Sequence, residues 1–192
     1  MHMSRIRTFI GVDVGKAIRD RIVALQENLA RTGADVKWVE RDNLHVTMLF
    51  LGEVDEREIT AVCRVAGDCA QRQAPFSMSV EKAGCFPTPR RPRVLWVGVA
   101  EGAQQLCALH DALEPPLMEL GCYRREERKY TPHITLGRVK SDRSAEPLAA
   151  ALAKQTAWKG GEIGVREIQV MSSELTPKGP IYAVLSRCKL GS

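Results

Sequence analysis

The chain has no CxxC pair, no HExxH and no cysteine–histidine spacing of the zinc-finger kind. Metal sites need three or four ligands at set spacing. Six cysteines and four histidines scattered as they are here do not read as a metal centre, so no metal and no cofactor is expected. Cys63, Cys69 and Cys107 fall in helical patterns, where a thiol behaves as a small hydrophobe. No run approaches the ~18 apolar residues of a membrane-spanning helix, and the N-terminus lacks the apolar core of an export signal. A reduced, cytoplasmic protein with no membrane contact and no obligate protein partner is the expectation. No stretch is of low complexity. The leading Met1-His2-Met3 reads as an expression remnant, and His2 is left out of the chemistry.

What is present is ordinary in bulk and specific in detail. With 192 residues, 44% hydrophobic and 27% charged, the chain can bury a substantial core as one domain or as two small lobes. A net charge of +5 and a pI near 9.0 favour an anionic partner without requiring one. One pattern occurs twice: His45-Val46-Thr47-Met48 and His133-Ile134-Thr135-Leu136. In a strand, residues i and i+2 share a face. Each copy therefore sets an imidazole beside a hydroxyl on one face and two apolar side chains on the other.

The motif histidines are 88 residues apart, and the same shift superimposes more than the motifs. The strand-like Phe9–Val12 falls on Val97–Ala100. The helical stripe Ile18, Ile22, Leu25, Leu29 falls on Leu106, Leu109, Leu113, Leu117. Second helices follow each motif, marked by Ile59, Val62, Cys63 and Ala66 and by Leu148, Ala151 and Leu152. The strand-like Phe76–Ala83 falls on Gly164–Met171. Any α+β chain overlaps itself at some offset. Five elements in one order at one offset favour duplication. Further strands are expected at Asp35–Val39 and Pro180–Leu190, a loop between halves at Phe86–Pro92, and another at Cys122–Thr131. The expected fold is α+β and bilobal: two mainly antiparallel sheets with outer helices around a central cleft. It forms one domain over 1–192, with pseudo-repeat lobes at about 4–90 and 91–190 and strand exchange between them allowed.

Two such strands facing one cleft suit acid–base chemistry at phosphorus. Histidine titrates near neutrality, so a neutral His45 or His133 can take a proton from an attacking water while the other delivers one to the leaving oxygen. Displacement at phosphorus wants attacker and leaving group in line. Thr47 and Thr135 can donate hydrogen bonds to the non-bridging oxygens. The motifs are nearly symmetric and do not by themselves assign donor and acceptor. A lone strand histidine is usually structural; it is the repetition that argues for a shared site.

Arg138 is the next candidate. Strict alternation places it opposite His133, but a bulge at Gly137 would re-aim it toward the phosphate. Without a bulge it is a solvent-facing strand-end arginine. The 88-residue shift sets Phe50 against Arg138, either in the core or at the cleft to stack on a base. Arg90, Arg91 and Arg93 in one loop, and Arg124, Arg125, Arg128 and Lys129 in another, are either cleft-mouth charge or a solvated surface; Glu126 and Glu127 dilute the second. Tyr130 either stacks on a base or packs the strand. His110 reads as a helix-flank residue.

The two segments Asn43–Gly52 and Pro132–Arg138, with Arg7–Val12, Pro92–Gly98 and Gly179–Tyr182, resemble the two-histidine phosphoesterase superfamily. Within it they are most similar to the bacterial and archaeal RNA 2′,3′-cyclic phosphodiesterases, also called the 2′-5′ RNA ligase family. The resemblance covers nearly the whole chain. It implies a duplicated fold, a metal-free site between lobes, and hydrolysis of an RNA-terminal or nucleoside 2′,3′-cyclic phosphate to a 2′-phosphate. It implies His45 as proton donor, His133 as proton acceptor, and Thr47, Thr135 and Arg138 as phosphate ligands. Two alternatives stand beside it: ligation through a 2′-5′ linkage by the reverse reaction, and non-catalytic binding of RNA ends.

Overall fold

The two four-residue apolar stripes become the two longest helices. In the computed structural model, which describes residues 4–125, 128–177 and 179–191, α1 (Gly15–Ala30) buries Ile18, Ile22, Leu25 and Leu29, and α3 (Ala103–Glu119) buries Leu106, Leu109, Leu113 and Leu117. Two shorter helices, α2 (Ile59–Ala70) and α4 (Ala145–Ala153), bury Val62 and Ala66 and Leu148 and Leu152. Pro116 inside α3 has no N–H for the carbonyl of Ala112; the Cys69 thiol of α2 donates to that carbonyl at 3.4 Å. Met1-His2-Met3, Glu126 and Glu127 lie outside the described residues.

The strands are β1 (Arg5–Asp13), β2 (Val36–Trp38), β3 (His45–Asp55), β4 (Phe76–Thr88), β5 (Arg91–Val99), β6 (His133–Val139), β7 (Lys159–Val165), β8 (Glu167–Thr176) and β9 (Gly179–Lys189). They do not form two sheets. All nine join one strongly curled antiparallel half-barrel in the order β7-β4-β5-β6-β3-β1-β8-β9, with β2 added to β6. The two motif strands are the seam, sharing the single pair Val46↔Ile134. Both residues are fully buried. Joining the strands there lets the apolar side chains of both halves merge into one continuous core.

β4 pairs with β5, and β8 pairs with β1. Each side of the seam, β7-β4-β5-β6 with β2 and β3-β1-β8-β9, therefore combines strands from both halves of the sequence. The stretch Phe86–Pro92 is not a long connecting loop. β4 runs to Thr88 and pairs with Arg91, where β5 begins, as a hairpin. Its prolines fit because the ladder shifts register between Phe86 and Pro87, where a missing N–H costs little. The helices pack on the core face of the sheet, and the opposite face of β3 and β6 opens into a cleft of about 780 Å³.

Candidate active site

Alternation along both motif strands is as the sequence requires. Val46, Met48, Ile134 and Leu136 are buried, while His45, Thr47, His133 and Thr135 are part-exposed and line the same cleft. The two imidazoles are braced by the same device. His45 Nδ1 lies 2.7 Å from the carbonyl oxygen of Asn43, and His133 Nδ1 lies 2.7 Å from that of Thr131. A carbonyl only accepts, so Nδ1 carries the hydrogen in both rings and leaves Nε2 for chemistry.

The two Nε2 atoms then differ. That of His45 sits 2.8 Å from the Thr47 hydroxyl, which donates to it when the ring is neutral. That of His133 has no protein partner among the described residues, nor has the Thr135 hydroxyl. His45 stacks on Phe9 with centroids 4.7 Å apart and meets the edge of Tyr182 at 5.3 Å. His133 meets the edge of Phe86 at 5.4 Å. Burial lowers the His45 pKa below 6.5; the bond to the Asn43 carbonyl opposes this and the Arg19 charge adds to it. Gly11 makes room for this ring: a Cβ there would stand 2.7 Å from the Val46 oxygen and 3.3 Å from His45 Cδ2.

Arg138 is brought to the cleft by a bulge. β5 pairs Leu95 with Gly137 and Trp96 with Thr135, so Leu136 is an extra residue in β6. The insertion turns Arg138 onto the face of His133 and Thr135. Arg7, Arg138 and Tyr182 line the cleft together; burial raises the Tyr182 pKa, and the two guanidinium charges oppose that shift. β3 has the matching bulge, since β1 pairs Ile10 with Leu49 and Gly11 with Thr47. Phe50 is accordingly a cleft residue, 39% exposed, with Arg7 4.4 Å above its ring.

Gln26 on α1 holds the β6 bulge and gives no signal in the sequence beyond sitting inside an apolar stripe. Its buried amide nitrogen donates to the carbonyls of Val39 at 2.9 Å and Leu136 at 2.8 Å. Phe9, Arg7, Tyr182, Lys37 and Lys140 also line the cleft without having been singled out for a role there. Arg7, Phe9 and Tyr182 fall in segments that carry the family resemblance, whereas Lys37 and Lys140 lie in or just past short strands where no pattern marks them.

Tyr130 packs more than it presents. Its ring stacks on His110 at 4.4 Å, and its hydroxyl donates to the Thr47 carbonyl at 3.1 Å. His110 is not a helix-flank residue but a buried one at the cleft, bonded to Asp111 at 3.0 Å. Tyr130 ties the loop before His133 to the strand of His45. Tyr130→Phe is expected to lose about 0.5–1.5 kcal/mol, read as a drop of about 2–4 °C in Tm per kcal/mol for a chain of this size. kcat should fall severalfold with KM little changed. An unaltered Tm and kcat would remove the tie.

The basic loops divide. Arg128 and Lys129 line the cleft, whereas Arg90, Arg91 and Arg93 do not. Arg125 is held by the buried carboxylate of Glu114 at 3.0 Å, and Arg93 stands 3.8 Å from Asp142. Among the described residues, no group of three or more histidine, cysteine or acidic side chains is gathered to hold a metal, and no helix is long and apolar enough to cross a membrane.

Residues 15–177 match the family model described as the 2′-5′ RNA ligase superfamily. The chain is 38% identical over 178 residues to an RNA 2′,3′-cyclic phosphodiesterase of Methanothermobacter thermautotrophicus, covering 93% of this chain and 95% of that one. It is 35% identical over 186 residues to the protein of that name in Thermotoga maritima, covering 96% and 95%. Among solved structures, it resembles a Thermus thermophilus protein with a TM-score of 0.81 at 29% identity, over 96% of this chain and 98% of that one. E. coli LigT complexed with 3′-AMP superimposes with a TM-score of 0.79 at 27% identity, over 98% and 99%.

Proposed function

Because this chain belongs to the 2′-5′ RNA ligase superfamily, we propose that it is a metal-independent RNA 2′,3′-cyclic phosphodiesterase that opens the terminal ring to a 2′-phosphate. The observation that carries this is the paired bracing of His45 and His133, each Nδ1–H held by the carbonyl two residues upstream with Nε2 left for chemistry in one cleft. Water loses a proton to one imidazole as its oxygen bonds to phosphorus. The P–O3′ bond breaks, and the other imidazole protonates the departing 3′ oxygen. Thr47, Thr135 and Arg138 hold the non-bridging oxygens.

The resemblance makes His45 the donor and His133 the base. The lowered pKa of His45 and the Thr47 hydroxyl on its Nε2 favour the opposite assignment in the unliganded protein. A bound phosphate anion stabilises an imidazolium on either side of it, which lets His45 carry the proton in the complex.

The sign of the pH dependence separates the two. If His45 is the acid, kcat/KM reports the free protein and falls as pH rises through a pKa below 6.5. kcat reports the complex, and its alkaline limb lies at higher pH. In His133→Ala, the residual rate then falls with rising pH. A residual rate that rises with pH makes His45 the base.

The test of the activity itself is hydrolysis of a 2′,3′-cyclic nucleotide with EDTA present and 2′- and 3′-phosphate products resolved. Turnover to the 2′-phosphate is expected. Loss of turnover in EDTA, or a 3′-phosphate product, would overturn the mechanism.

A further inference from the structure

Past the bulge, β6 carries Arg138 and then the chain continues to Lys140, and both line the cleft with His133 and Thr135. β2 sets Lys37 directly across from Arg138, and it lines the cleft too. Three cations thus form a strip leading away from the reacting centre. Like charges directly opposite across a strand pair destabilise it. None of the three has an ion-pair partner among the described residues. Of the carboxylates on the cleft wall, Glu114 is taken by Arg125, which leaves Glu40 against six cations, these three together with Arg7, Arg128 and Lys129.

The chemistry proposed for this site handles one phosphate, and Arg138 with the two threonines suffices to hold it. Lys37 and Lys140 have no part in that step. With Leu136 bulged out, Lys140 lies four ladder steps beyond Thr135, roughly 13 Å at about 3.3 Å per residue, within reach of the next nucleotides of a bound strand. A terminal 2′,3′-cyclic phosphate ends its chain, so the remainder of an RNA can extend only in the 5′ direction.

We propose that Lys37 and Lys140 form a subsite for the phosphodiesters immediately 5′ of the terminal cyclic phosphate, selecting RNA strand ends over cyclic mononucleotides. This rests on the cyclic-phosphate reading of the site. The bland use of Lys37 is to guard β2, a short strand whose one partner among the described residues is β6, against edge-to-edge association.

The test is the double variant Lys37→Met, Lys140→Met, which keeps the aliphatic stems and removes the charges. Two substrates are compared: a 2′,3′-cyclic mononucleotide and a tetranucleotide ending in a 2′,3′-cyclic phosphate. kcat/KM on the tetranucleotide should fall about tenfold more than on the mononucleotide, through KM. Binding of a labelled tetranucleotide ending in a 2′-phosphate should weaken, with a salt slope smaller by ~1 to 1.5, since each single-strand phosphate contact contributes about 0.7. Equal losses on both substrates, or none, would overturn the subsite and leave Lys37 as an edge guard. If the native protein turns over neither substrate, the cyclic-phosphate reading fails. The binding arm then still decides, because an unchanged affinity and salt slope in the variant would overturn the subsite alone.

Discussion

His45→Ala and His133→Ala are each expected to lower kcat on a 2′,3′-cyclic nucleotide by about 10²–10⁴-fold, the size of one proton-transfer role. The fold should survive both. Both rings line the cleft and neither is fully buried; His133 gives up one hydrogen bond, to a carbonyl, and His45 two, to the Asn43 carbonyl and the Thr47 hydroxyl. His45→Ala also removes the stack on Phe9, so its Tm should fall further than that of His133→Ala. The double variant should be little worse than either single one, because groups acting in one step are not additive. Steady-state kinetics with thermal unfolding of each variant checks this. Near-native turnover in either single variant would end the paired-histidine mechanism.

Removing the support of the β6 bulge should be the next largest effect. Gln26→Met keeps the volume of the side chain and deletes both amide bonds. The Leu136 oxygen still accepts from the Val39 N–H at 2.9 Å, but the Val39 carbonyl loses the amide. The expected cost is about 1–3 kcal/mol, read by urea unfolding. A relaxed bulge would also return Arg138 to the alternate face, so KM should rise about tenfold.

Gly137→Ala attacks the same feature from the other side. A Cβ there would stand 2.7 Å from Val36 Cγ1 and 3.0 Å from the Lys37 oxygen, so β2 must move away. Both variants should show the same coupling of lost stability to weakened substrate binding. A stability loss with unchanged KM would mean that the bulge does not aim Arg138.

These two sites mark how far local pattern carries. The HxTx strands were legible because alternation is a property of the strand itself: apolar partners inward put His45, Thr47, His133 and Thr135 outward in any sheet that buries one face. The stripes of α1 and α3 were legible for the same kind of reason. Tyr130 and His110 were not. Their stacking depends on a helix and a loop that meet only in the folded chain.

The 88-residue shift aligned the elements but not the partners of β4 and β8, which cross to the opposite half of the sheet. Strand pairing is decided by which apolar faces meet across long chain separations, and nothing in a strand's own residues names its neighbour. For the same reason two expected sheets became one, joined at Val46 and Ile134.

Taken alone, the sequence determined that two imidazole–hydroxyl pairs would face away from a core and that the chain resembles one family. It left open the aim of Arg138, a choice between two faces that turns on one extra residue. Only the tertiary structure closed it. The bulge at Leu136 is held by Gln26, whose amide bonds the Leu136 and Val39 carbonyls from a helix 110 residues away in the chain, and by a glycine that lets β2 approach. Each of those is a contact between distant segments, which periodicity does not record.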